Sequence, residues 1–182
     1  SGQQEELSAL VVETSDSTSD RWEKDRPQTE AEVGALVRIR PAEELLRTGE
    51  AALIQRLIQA LGDRVFVCGG AGSPFWKLYG VVGFQNQMTM PLEAPTLLHR
   101  LLRRQTDALR EAVRTYAALG VHGLFVEECL VSADLISARI YEKFVLPYTK
   151  EILDEARRLG LPTIQYVCGD ANPRLPHLRE LA

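Results

Sequence analysis

GVHGLFVEECLVSADLISARIYEKFVLPYTKEILDEARRLGLPTIQYVCG, residues 120–169, is the stretch that organises the chain. It opens with a short apolar run ending in Glu127, Glu128 and Cys129. A loop follows, then an amphipathic helical pattern carrying Pro147, then a second β-rich run ending in Cys168 and Gly169. Two strands joined by a crossover of this length are expected to pair in parallel, with a right-handed connection. Ligands of parallel α/β sheets and of (β/α)8 barrels gather at the carboxyl ends of the strands. Glu127, Glu128, Cys129, Cys168 and Asp170 therefore occupy the privileged positions.

Outward from this unit, the chain reads as further strand and helix pairs. Residues 93–119 place Leu98, Leu101, Leu102, Leu109, Val113 and Tyr116 on one apolar stripe, and Gly120 stops the pattern. Residues 64–70, RVFVCGG, read as a strand that breaks at glycines. Ser73 and Pro74 then suit an N-cap and a first helical turn. Residues 41–62 carry a helical pattern that Gly49 is expected to split in two. Pro147 inside the second helix predicts a kink or a break. Residues 1–40 are weakly specified, with only 7–12 strand-like, whereas 41–182 alternate regularly. The last helical pattern stops without a closing strand and the chain begins Ser-Gly, so a chain cut at both ends is expected.

Composition narrows the function classes. The 182 residues are 45% hydrophobic and 25% charged, enough for one domain with a real core. A net charge of −4, with arginines dispersed among carboxylates, argues against nucleic acid as a partner. No apolar run has the length of a membrane helix and no signal peptide is visible, so a cytoplasmic protein with no membrane partner is expected. Cys68, Cys129 and Cys168 are too widely spaced for a disulfide framework and are read as reduced thiols at strand ends. Neighbouring residues of a strand face opposite ways, so one of Glu127 and Glu128 should meet a ligand and hold or move a proton. His99, His122 and His177 are isolated, which leaves a nucleophilic triad unsupported.

Three motifs carry a resemblance to the uroporphyrinogen decarboxylase superfamily, which includes corrinoid-dependent methyltransferases. CGGAGSPFW, residues 68–76, resembles the family's glycine-rich segment after a barrel strand. GVHGLFVEE, with Phe144, Pro147, Tyr148 and Lys150 downstream, resembles an acidic strand end and the helix that follows it. IQYVCGD resembles a strand that reads His-x-Cys-Gly in relatives. The resemblance implies an α/β fold, a partial (β/α)8 TIM barrel, with residues 41–182 as its central part. It implies decarboxylation of a tetrapyrrole or related ligand without a cofactor, with Glu127 and Glu128 as catalytic candidates. Gly70, Ala71, Gly72, Tyr79 and Tyr166 are the implied substrate-binding positions. The methyltransferase branch implies instead zinc, with Cys168 as a ligand, and a corrinoid partner. Gly70, Glu127 and Tyr166 differ from the residues relatives carry, Tyr166 standing where methyltransferases have the histidine of a zinc pair. This motivates a third reading, a binding protein without turnover. A partial barrel would expose edges and apolar faces, so self-association or a homodimer is also expected.

Overall fold

The computed structural model describes residues 10–13, 18–21 and 25–181, the first two segments as backbone only. Strands β1 (Leu10–Glu13) and β2 (Thr18–Arg21) pair antiparallel. The first of these meets the strand-like stretch of the sequence, whose residues 7–9 lie outside the described part. Helices α1 (Glu30–Leu36), α2 (Ala42–Arg47) and α3 (Ala52–Leu61) follow. Gly49 separates the last two at φ 79°, a conformation in which a side chain would be strained.

A parallel sheet in the order β3, β4, β5 holds the centre, formed by Cys68–Gly72, Gly123–Glu128 and Thr163–Val167. Short α4 (Pro74–Lys77) and the kinked α5 (Tyr79–Glu93) lead into the 25-residue α6 (Pro95–Leu119), and these connect β3 to β4. Ser73 caps α4 through its side chain and Pro74 opens it, as expected from the sequence. Gly120 closes α6 in the left-handed conformation. Between β4 and β5 run α7 (Ala138–Ile140), a single π turn (Tyr141–Val145) and α8 (Leu146–Arg158). The break foreseen at Pro147 is this π turn, which lets the proline begin a helix rather than interrupt one. A 3-10 turn at Asn172–Arg174 and α9 (Leu175–Leu181) end the described chain. No helix among the described residues is long and apolar enough to cross a membrane.

One face of the sheet is covered. Ala71, Leu124 and Val126 point toward Leu109 and Val113 of α6 and Ile152, Leu153 and Ala156 of α8, all buried. A second cluster joins α4, α5 and the first half of α6 to Tyr141, Phe144 and Val145. Glu155 ties the two long helices together through Arg110 and Arg114 of α6 and Arg158 of its own helix. Removing a large apolar side chain from either cluster costs ~2–5 kcal/mol.

The first strand of this sheet differs from the sequence reading. The apolar residues Val65 and Phe66 lie outside it, 47% and 62% exposed, and the glycines form the strand rather than a turn. Packing decides this. A Cβ on Gly69 would sit 2.5 Å from Cγ of Tyr116, so only glycine lets β3 approach α6 so closely. The Tyr116 hydroxyl then donates to the Gly70 carbonyl at 2.9 Å. The shift also moves Cys68 to the beginning of its strand, opposite the end where Cys129 and Cys168 lie, which corrects the expectation of three thiols at strand ends.

Candidate functional site

The register aligns Gly70 with Phe125 and Phe125 with Ile164; two residues on, Gly72 aligns with Glu127 and Glu127 with Tyr166. Alternation places all six side-chain positions on the sheet face away from α6 and α8. Phe125, Ile164 and Tyr166 are 36%, 49% and 47% exposed. The Phe125 and Tyr166 rings stack, with centroids 5.9 Å apart and planes 27° apart. A Cβ on Gly70 would meet nothing within 4 Å. The result is an open apolar plate with a gap over Gly70. At its rim, the space above Gly72 is filled by Trp76 Cδ1 and Lys77 Cε, which a Cβ would meet at 2.6 and 2.9 Å. Tyr79 stacks on Trp76 at 5.7 Å and 9°.

The adjacent carboxylates part ways. Glu127 lies at the rim of the plate and accepts a hydrogen bond from the Cys129 thiol at 3.2 Å. Glu128 is fully buried on the helix side, where Thr149 Oγ1 donates to it at 2.6 Å and the Tyr141 hydroxyl at 3.3 Å. Burial without a cationic contact pushes the Glu128 carboxyl above the usual carboxylate range, with both hydroxyls opposing. Tyr141 is pushed up too, by burial and then by Glu128. Arg174, itself buried, stacks its guanidinium over the Tyr141 ring at 4.7 Å and donates to the carbonyls of Val131 and Ile136. Sequence reasoning did not assign roles to Tyr141, Thr149 and Arg174. The first two bracket a helix break whose geometry shifts the face they share, and the third arrives from a distant segment.

Ala71 is 4% exposed and packs in the core between sheet and helices, away from the plate. Cys168 follows β5 as Cys129 follows β4, and their sulfurs are 3.0 Å apart. Burial, then Cys168 and Glu127, push the Cys129 thiol upward. Among the described residues no three histidine, cysteine or carboxylate side chains are grouped to hold a metal. Tyr166 offers no imidazole, so the described residues hold no His-x-Cys pair of donors. The histidines have local partners: His122 accepts from the Val67 amide at 2.9 Å, His99 meets the Tyr148 hydroxyl at 2.7 Å, and His177 lies 3.4 Å from Glu142.

Parallel strands alternating with long helices define an α/β protein, with polar groups collected at the carboxyl ends of those strands as its candidate site. The family model described as Uroporphyrinogen decarboxylase (URO-D) matches residues 23–182, and the chain belongs to that family. It is 30% identical over 108 residues to a methylated-thiol–coenzyme M methyltransferase of Methanosarcina mazei, covering 59% of this chain and 29% of that protein. It is 31% identical over 125 residues to a uroporphyrinogen decarboxylase of Myxococcus xanthus, covering 65% and 35%. In fold it is similar to a solved methyltransferase from Methanosarcina mazei, with a TM-score of 0.72 and 20% identity over 90% of this chain and 47% of that one. The chain thus spans about a third of the length of these curated relatives.

Proposed function

We propose that this chain supplies the central part of a (β/α)8 barrel in a uroporphyrinogen decarboxylase-like enzyme, acting on a tetrapyrrole or related ligand at the barrel mouth. The observation that carries the reading is the plate of Gly70, Phe125, Ile164 and Tyr166, flat, apolar and open, with Glu127 at its rim. Such a surface receives the face of a planar ring system by stacking, and the gap over Gly70 lets it lie close. Glu127 is positioned to hold or move a proton at the ligand's edge. Decarboxylation needs that service: a carboxyl group leaves as carbon dioxide, and the carbon it leaves takes a proton in its place. Glu128, buried and hydrogen-bonded behind the sheet, orients the end of β4 and does not touch the ligand.

A second reading, methyl transfer between a corrinoid and a thiol with Cys168 as a zinc ligand, is supported by the methyltransferase relative. That reading needs further zinc donors from outside this chain, since no three are grouped for a metal among the described residues. A third, ligand binding without turnover, is supported by Gly70, Glu127 and Tyr166, where the family resemblance implies other residues. The test is incubation of the complete protein with uroporphyrinogen, followed by mass spectrometry. Progressive loss of carbon dioxide, falling at least tenfold in Glu127→Gln with ligand affinity retained, is the expected result. Binding without loss of mass would assign the third reading, and neither binding nor turnover would remove the tetrapyrrole altogether.

A further inference from the structure

We propose that Cys129 and Cys168 form a redox-active dithiol that closes to a disulfide across the ends of β4 and β5. The paired register of Glu128 with Val167 makes these the next two residues of adjacent parallel strands. Strands at the usual ~4.8 Å spacing place such positions inside the separation a disulfide requires, ~4.4–6.8 Å between Cα atoms. The side chains already point at each other, with the sulfurs 3.0 Å apart. Closing the bond asks for rotation of two side chains and little movement of the backbone.

The backbone here is held from both sides. Leu130, directly after Cys129, has φ 62°, and Gly169, directly after Cys168, has φ 81°. Each thiol therefore sits immediately before a left-handed turn. The two turns are packed together: a Cβ on Gly169 would meet Cβ and Oγ of Ser132 at 2.6 and 2.7 Å. The amide of Ala133 also donates to the Asp170 carbonyl at 3.2 Å. A non-glycine residue is held left-handed only where the surroundings enforce it. The same surroundings fix the thiol pair. Cys68, at the other end of β3, cannot reach either sulfur without unfolding the sheet.

The oxidant is a small-molecule disulfide such as oxidised glutathione. One cysteine thiolate attacks it, forming a mixed disulfide and releasing one thiol; the other cysteine attacks the mixed disulfide, releasing the second. Two cysteine thiols become one protein disulfide, and the oxidant becomes two thiols, which carry away the two electrons and two protons. The consequence falls on the site already described. A disulfide has no S–H to donate, so Glu127 loses the hydrogen bond it receives from Cys129. Oxidation thereby alters the carboxylate at the rim of the plate.

The test equilibrates the purified chain in glutathione buffers of graded redox poise, quenches with an alkylating reagent and maps peptides by mass spectrometry. Expected is a reversible loss of two hydrogens within one chain, in a cross-linked peptide pair containing Cys129 and Cys168, with Cys68 alkylated throughout. C129S and C168S each abolish that loss, and C68S leaves it intact; mapping of the unsubstituted chain stands without the variants. Full alkylation of both thiols in the most oxidising buffer would overturn the proposal. So would linkage through Cys68, linkage between chains, an unresolved glutathione adduct, or protection that a chelator removes.

Discussion

Neighbouring glycines of β3 should respond in opposite ways to the same substitution. In Gly69→Ala the new methyl meets Cγ, Cδ2 and Cδ1 of Tyr116 at 2.5, 2.7 and 2.9 Å. These atoms form the base of the ring, close to the α6 backbone, so rotating the side chain does not clear them and β3 and α6 must separate. Overpacking of this kind costs ~1–3 kcal/mol. Separation also stretches the bond from the Tyr116 hydroxyl to the Gly70 carbonyl, adding ~1 kcal/mol. Restricting the unfolded chain returns ~0.4–1 kcal/mol, leaving a net loss of about 1–3.6 kcal/mol. In Gly70→Ala the methyl enters open space, so only the gain of ~0.4–1 kcal/mol remains. The variants should therefore differ by ~2–4 kcal/mol, or roughly 4–16 °C in Tm for a chain of this size. Denaturant titration followed by circular dichroism reads the first quantity and a thermal scan the second. Tyr116→Ala in the Gly69→Ala background should recover part of the loss, because the atoms in collision are gone. Equal stabilities for the two alanine variants, or strict additivity in the double variant, would refute the packing argument.

Two further expectations concern buried carboxyls. Glu128 has its pKa raised by burial, so the folded state favours its protonated form. Its contribution is present in acid and declines as pH rises from the ordinary carboxylate range through the raised value. Glu128→Gln should thus gain stability relative to the unsubstituted protein across that rise, measured by unfolding at a series of pH values; a gap independent of pH would count against the assignment. Glu155 behaves with the opposite sign. Arg158 and Arg114 hold its carboxyl down at about 2, against the cost of burial. Its stabilisation is complete above the usual carboxylate range and is lost as pH falls from about 4.5 toward about 2. Glu155→Gln should cost ~1.5–3 kcal/mol at neutral pH, the loss of charged hydrogen bonds, and the difference should shrink steadily in acid.

Much of the architecture was legible in the sequence because it rests on local rules. The stripe of Leu98, Leu101, Leu102, Leu109 and Val113 specifies α6 by its period, and all five are buried. Gly120 ends that helix and Ser73 with Pro74 begins α4, since capping depends on a few adjacent groups. The parting of Glu127 and Glu128 follows from strand alternation alone. Which of the two goes inward does not, because it depends on where α6 and α8 lie.

The sequence by itself determined a parallel βαβ core, its helical crossovers and the strand ends where polar groups collect. It also carried the motifs of the uroporphyrinogen decarboxylase family, to which the chain belongs. Only the tertiary structure decided that β3 is built of glycines, that Cys68 stands apart from Cys129 and Cys168, and that Glu128 shares a buried cluster with Tyr141 and Thr149. The physical reason is range. Periodicity and caps act within a few residues, whereas the approach of Tyr116 to Gly69 and of one thiol to another is set by segments some 40 residues apart, which meet only when the sheet has packed against its helices.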